Sequence, residues 1–339
     1  MAPRPVEWAA GCDAGRMTVE RVPYDEFSMF HENAEEFGLP YDGPPVVRRE
    51  AVEVEPGRHL SALVWGDGPP ELVFLHGGAQ NAHTWDTVAL ALGRPLVAID
   101  LPGHGHSDGG HGNALDPARN ARDVADAVRT LAPEAGAVIG MSLGGVTAIA
   151  LAALAPELVR SLVLVDITPG VDGHKASAIV AFVNGPESFD SFDDLLARTV
   201  AFNPTRSVSS LRRGILHNAV QRDDGSWVWR YARHRALLPD AGAAGQGPGA
   251  GQPGHPMFAP LWETVSGLTM PVMLVRGMLP QSVVDDADEA ELVRRCPHAR
   301  IEHVAAAGHS VQGDQPVELA RLIADFTTRP VAKAPADPD

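Results

Sequence analysis

The sequence predicts an α/β fold, a mostly parallel sheet with helices on both faces and a helical cap insertion. Three observations carry this. The runs Leu72–Leu75, Leu96–Ile99, Leu162–Val165 and Val272–Val275 are short and wholly apolar, as strands covered on both faces are. Between them lie segments with helical periodicity, such as Ala121, Val124, Ala125, Val128 and Leu131 at i, i+3, i+4 and i+7. The alternation stops near Ile167 and resumes at Val272, which leaves a long segment without buried strands inside the sheet's sequence.

The totals set outer bounds. A chain of 339 residues with 45% hydrophobic content has room for a large core and an insertion. The net charge of −16 repels phosphate backbones, so nucleic acid is not an expected partner. Two cysteines, Cys12 and Cys296, provide neither a disulfide framework nor metal-ligand spacing, which fits a reducing cytoplasm. The first 30 residues lack a basic start followed by an apolar run, so no signal peptide is expected. No apolar stretch reaches the 18 residues of a membrane span. The expectation is a cytoplasmic protein acting on a small molecule; a homo-oligomer is compatible with these totals.

In chain order, residues 1–45 are polar and proline-rich and read as an N-terminal extension with one short helix over Tyr24–Phe37. Residues 46–167 and 266–328 form the core. It opens with an antiparallel hairpin, Val47–Val54 and Leu60–Trp65, around the turn signal Glu55-Pro56-Gly57-Arg58. The strand Leu72–Leu75 is followed by a helix over Thr84–Leu92, and the strand Leu96–Ile99 by the periodic helix ending at Leu131. Ala137–Ile139 is a strand, Val146–Leu154 a buried helix and Leu162–Val165 a further strand. Residues 168–265 read as the helical insertion, with helices over Phe192–Ala201 and Ser207–Val220 and a flexible Gly/Ala-rich loop at 241–254. The core resumes with Val272–Val275, a helix over Asp286–Arg295, the strand Ile301–Val304 and a last helix over Pro316–Phe326. The tail, 329–339, is Pro/Ala/Asp-rich and expected to be disordered.

One stretch carries chemistry. Gly140-Met141-Ser142-Leu143-Gly144-Gly145 lies where a strand turns sharply into a helix, the context in which G-x-S-x-G presents a nucleophile. The glycines clear the turn, the hydroxyl is pushed out at the strand's end, and the N–H of Leu143 points into the same space. A bare G-x-S-x-G also fits an ordinary Gly-rich turn, so the rest of the chain must decide. A serine hydroxyl needs a base, and the base an orienting acid. His309, in Gly308-His309-Ser310 after the last strand, is the candidate base. His76, His104 and His106 follow earlier strands and read as structural, whereas His217 and His234 fall in the insertion and could line a pocket. An oxyanion needs preorganised donors, and the N–H groups of Gly78, or of Ala79, together with Leu143 are the candidates.

Taken together, these residues resemble the α/β-hydrolases. His76-Gly77-Gly78, Asp100-Leu101-Pro102-Gly103-His104-Gly105-His106-Ser107, Gly140–Gly145 and Gly308-His309-Ser310 stand in the family's order across roughly 46 to 328. The resemblance implies Ser142 as nucleophile, His309 as base, an acid between them in the chain, and 168–265 as a cap over the active site. The acid departs from the commonest pattern. Relatives place an aspartate shortly after the glycine that ends the strand before the last helix pair; here that glycine is Gly277, and Met278-Leu279-Pro280-Gln281-Ser282 contains no carboxylate. Asp166, at the end of the strand Leu162–Val165, is the first choice, because some members carry the acid there. Asp285 and Asp286 are the alternative, although they also read as the start of a helix. Asp100 reads as a loop-tying residue and Asp314 as the cap of the final helix.

The implied reaction is acyl transfer to water through an acyl-enzyme, on carboxylic esters of small molecules. Meta-cleavage-type C–C hydrolysis and perhydrolase chemistry use the same body, and a non-catalytic binding protein of this fold is the alternative from another class. No cofactor and no metal are expected. His104, His106 and His111 lie in a Gly-rich loop that the family pattern explains without metal, and the formal G-x-G-x-x-G at Gly249–Gly254 has no preceding strand and is interrupted by Pro253.

Overall fold

The computed structural model describes residues 21–109, 116–231 and 258–328. The stretch 241–254, the tail 329–339, Cys12, His111 and His234 lie outside these. The first helix, α1, spans Phe30–Phe37. It starts later than Tyr24 because Asp25 turns the chain first, its side chain accepting the Phe27 N–H and its carbonyl the Ser28 N–H. The hairpin β1 (Val47–Glu55) and β2 (Arg58–Trp65) follows, then β3 (Leu72–Leu75). The region expected as one helix over Thr84–Leu92 is a 3-10 turn, Ala82–Trp85, continued by α2 (Asp86–Leu92). The Asn81 side chain caps the first of these through the His83 N–H. Next come β4 (Leu96–Ile99), α3 (Pro117–Leu131), β5 (Ala137–Met141), α4 (Leu143–Leu154) and β6 (Leu162–Val165).

After β6 the chain leaves the sheet. It forms α5 (Ser177–Val183), α6 (Phe192–Phe202) and α7 (Val208–Asn218), then a small antiparallel hairpin, β7 (Ala219–Gln221) with β8 (Trp227–Trp229). The hairpin escapes a periodicity reading because each strand is only three residues long. The helix α8 (Leu261–Ser266) leads back to β9 (Val272–Gly277), α9 (Asp286–Arg295), β10 (Arg300–Val304), α10 (Val311–Asp314) and α11 (Pro316–Thr328).

Eight strands form one sheet in the order β1-β2-β4-β3-β5-β6-β9-β10. β2 runs antiparallel to both β1 and β4; every other pairing is parallel. Side chains alternate between the two faces of a strand, and here both faces are apolar. Val73 and Leu75 pack with α3, α4, α8 and α9 on one side, while Leu72 and Phe74 pack with α1, α2 and α11 on the other. A third cluster, with Leu195, Ile215 and Trp227, belongs to the segment after β6 and includes Met29 from the N-terminal stretch. Among the described residues no helix is long and apolar enough to cross a membrane. The loops after β3, β5, β6, β9 and β10 all emerge at the carboxyl end of the parallel strands, where open α/β sheets bind ligands.

Candidate active site

Ser142 sits between β5 and α4 with φ of 51° and ψ of −118°, a left-handed backbone that a non-glycine residue adopts only under constraint. The constraint is packing. α4 crosses so close to β3 that a Cβ on Gly144 would lie 2.2 Å from the Leu75 carbonyl oxygen. The Ser142 carbonyl accepts the N–H groups of Gly145 and Val146 at 2.9 and 3.1 Å, which anchors the first turn of the helix. Leu143 is the first residue of α4, so its N–H has no partner within the helix and is free to meet an anion.

His309 lies in the loop between β10 and α10, and its Nδ1 is 2.9 Å from Asp166 Oδ2. Asp166, just past β6, is fully buried and also has a left-handed backbone, φ 48°. Its carboxylate accepts further hydrogen bonds from the Gly277 N–H (2.9 Å), the Ser282 hydroxyl (2.6 Å) and the Val283 N–H (3.1 Å). The segment after Gly277, which has no carboxylate of its own, thus supplies donors to one that arrives from β6. The other two candidate acids are engaged elsewhere. Asp285 caps α9 in a reciprocal capping box with Asp288 and pairs with Lys175, while Asp286 pairs with Arg276 at the surface.

The loop after β3 carries the other candidate donors. Of the two N–H groups, that of Ala79 donates to His104 Nε2 at 3.1 Å. At Gly78 a Cβ would meet nothing within 4 Å, so its backbone faces open space. His76 and His104 are fully buried clamps on this region. His76 accepts the Leu101 N–H on Nε2 and directs Nδ1 to the Gly77 carbonyl, and burial keeps its pKa below the usual imidazole value. Asp100 ties the neighbouring loops, accepting the N–H groups of Ala82 and His106 and an ion pair from Arg49. Asp314 does not cap the last helix. It accepts the Gly308 N–H at 2.9 Å and so holds the loop that carries His309.

Ser142, His309, Gly78 and Leu143 line one cavity of about 600 Å³. Apolar residues of the segment after β6, among them Ile179, Phe182, Phe202, Leu211 and Ile215, form one wall. His217 lines it as well, and so do Asn33 and Phe37 of α1, a contribution that the sequence did not suggest.

A second cluster on this cavity also escaped the sequence reading. His83 directs Nδ1 to Asp86 (2.8 Å) and Nε2 to Glu26 (3.0 Å), and its ring stacks on His217 at 3.7 Å. Burial opposes its charge, but the two carboxylates prevail and push the His83 pKa up to about 9. Burial and the neighbouring His83 charge hold His217 well below the usual value. The only sequence signal was the i, i+3 spacing of His83 and Asp86. Ligand atoms of His83, Asp86 and His217 lie within 4.8 Å of one another. The two rings are inclined by only 12°, however, so their in-plane lone pairs do not converge on one ion. As arranged, the cluster is a charge network.

A sequence-family profile described as alpha/beta hydrolase fold matches residues 70–316. The chain is 45% identical over 312 residues to an esterase of Mycobacterium tuberculosis, Rv0045c, covering 90% of this chain and 96% of that one. A solved structure of that esterase, from work on its transition metal inhibition, superposes with a TM-score of 0.75 over 90% of this chain and 99% of the other. The 2-(acetamidomethylene)succinate hydrolase of Mesorhizobium japonicum is 28% identical, over 77% of this chain and 88% of that one.

Proposed function

The chain belongs to the α/β-hydrolase family and is a hydrolase, and we propose that it is a serine esterase in which Ser142, His309 and Asp166 act together on carboxylic esters of small molecules. The observation that carries this reading is the hydrogen bond from the buried Asp166 to His309, which lines the same cavity as Ser142. Ester as the substrate class is supported by the 45% identity to an esterase.

In the proposed reaction the Ser142 Oγ attacks the ester carbonyl while His309 Nε2 removes its proton. Asp166 fixes the tautomer by accepting from Nδ1 and stabilises the imidazolium that forms. The N–H groups of Gly78 and Leu143 hold the oxyanion of the tetrahedral intermediate. Its collapse expels the alcohol, which takes the proton from His309. A water molecule, deprotonated by His309, then attacks the acyl-enzyme and releases the acid and Ser142. Residues 168–265 act as a cap that shapes the pocket around the substrate. The two-cysteine composition supports a cytoplasmic place of work.

A fluorophosphonate probe should label Ser142 covalently, and Ser142→Ala should abolish both labelling and the hydrolysis of short p-nitrophenyl esters, lowering kcat by about 10⁶-fold. A folded wild-type chain that resists labelling would instead point to a binding protein. Turnover of a vinylogous diketone acid without turnover of esters would point to C–C hydrolysis.

A further inference from the structure

Among the described residues, three lysine or arginine side chains line the cavity: Lys175, Arg206 and Arg213. Two are neutralised by the protein. Lys175 lies 2.8 Å from Asp285 and 2.6 Å from Asp288, and Arg213 pairs with Glu36 and, at 3.6 Å, with Glu32. Arg206 is different. Its Nη2 donates to the Ser210 hydroxyl at 2.6 Å, its Nε is buried with no hydrogen-bond partner, and among the described residues it forms no ion pair. Asp314 and Glu36 act on it only at longer range, and both Asp314 oxygens are committed, one to the Gly308 N–H and the other to the Thr205 hydroxyl.

The placement is specific. The guanidinium lies flat against Gly313, where a Cβ would stand 3.0 Å from Cζ and 3.1 Å from Nε and Nη1. Gly313 belongs to α10, the short helix that begins two residues after His309. A side chain at 313 would therefore displace the cation from the wall beside the base. The side chain is half-buried, and a guanidinium with its Nε shut off from water and no counter-charge is costly. The cost is recovered when a ligand brings the counter-charge, and the planar fork of arginine matches a carboxylate in two parallel hydrogen bonds.

We propose that Arg206 is a specificity residue that receives a free carboxylate carried by the substrate, so that the preferred esters are anionic. This rests on the esterase reading above. It goes beyond it in naming a charged group distinct from the scissile ester.

The test compares anionic esters with neutral counterparts on the full chain. p-Nitrophenyl hemiglutarate against p-nitrophenyl valerate places the carboxylate on the acyl side. 4-(Butyryloxy)benzoate against phenyl butyrate places it on the alcohol side. The expected result is a higher kcat/KM for at least one anionic ester, expressed mainly in KM. In Arg206→Gln that anionic-to-neutral ratio should fall about 100-fold, and Arg206→Lys should restore part of it. Removal of the unpaired charge should also raise the Tm of Arg206→Gln, whereas loss of a purely structural arginine would lower it. Equal ratios in wild type, or a ratio that Arg206→Gln leaves unchanged, overturn the proposal. Inhibition by inorganic phosphate with none by glutarate also overturns it. Should Arg206→Gln fail to fold, the wild-type ratio and glutarate inhibition decide. Should the wild type turn over no ester, the esterase reading falls by itself. Calorimetry with glutarate then decides, with binding lost in Arg206→Gln supporting the inference and no binding to the wild type overturning it.

Discussion

At the scale of the residue, Asp166 is the point where sequence and structure differ most in what they reveal. In the sequence, Asp166, Asp285 and Asp286 are three aspartates at strand or helix ends, and Asp166 ranks first only through the family resemblance and the helix-start reading of the other two. The difference between them is long-range. Asp166 is separated from His309 by 143 positions, and the contact exists only because β6, β9 and β10 lie side by side in the sheet, so that the loops after β6 and β10 meet. The sharp turn that carries Ser142, by contrast, is legible from six consecutive residues, because an elbow is a local backbone device. The Asp166 carboxylate accepts from four donors, and an amide cannot reproduce this, since its NH₂ group would face an N–H or force the wrong tautomer on His309. Asp166→Asn should therefore lower kcat by about 10⁴-fold. Asp286→Asn, on a side chain 96% exposed and paired only with Arg276, should stay within about 2-fold of wild type, consistent with the small worth of surface ion pairs. Steady-state kinetics on both variants, with Tm as the folding control, checks the assignment; the reverse order would reject it.

At the scale of the element, most of the sheet was legible because each buried strand is an uninterrupted apolar run. Leu72–Leu75, Leu96–Ile99 and Leu162–Val165 have the boundaries that the apolar runs predict. What local pattern missed has local causes: a hairpin of three-residue strands, a turn at Asp25 that delays α1, and a 3-10 turn ahead of α2. The junction of β5 and α4 also makes a stability prediction. A Cβ at Gly144 would meet the carbonyl oxygens of Leu75 and His76 at 2.2 and 2.7 Å, and neither backbone can yield without moving β3. Gly144→Ala should cost about 2–4 kcal/mol by overpacking. Gly214 stands inside α7, and a Cβ there would meet nothing within 4 Å. Gly214→Ala should instead stabilise the chain by about 0.5–1 kcal/mol, through the lower entropy of the unfolded state and better helix propensity. Urea midpoints at constant m measure both, and equal shifts would contradict the packing argument.

At the scale of the whole molecule, four parts of the chain meet in one buried charge network that no local pattern announces. The N-terminal stretch brings Glu26 and Tyr24, β1 brings Arg49, the turn and helix after β3 bring His83 and Asp86, and α7 brings His217. Tyr24 and His217, joined at 3.0 Å, are 193 positions apart. The network fixes a pH window for stability. The His83 pKa is raised to about 9 in the folded state against 6.5 in the unfolded chain, so its contribution is complete below pH 6.5 and lost as pH rises through about 9. A shift of this size is worth on the order of 3 kcal/mol. Glu26 has the opposite sign. Burial opposes its charge, but hydrogen bonds from His83 and Arg49 lower its pKa to about 2, so its contribution is present above pH 4.5 and lost as pH falls towards 2. Stability from this network should therefore plateau between about pH 4.5 and 6.5 and decline on both sides. Urea unfolding of the wild type at pH 6 and pH 9.5 should show the alkaline loss. His83→Gln should be less stable at pH 6, because Asp86 is left without its counter-charge, and should show a much flatter dependence between pH 6.5 and 9. An alkaline slope as steep in His83→Gln as in wild type would place the titrating group elsewhere.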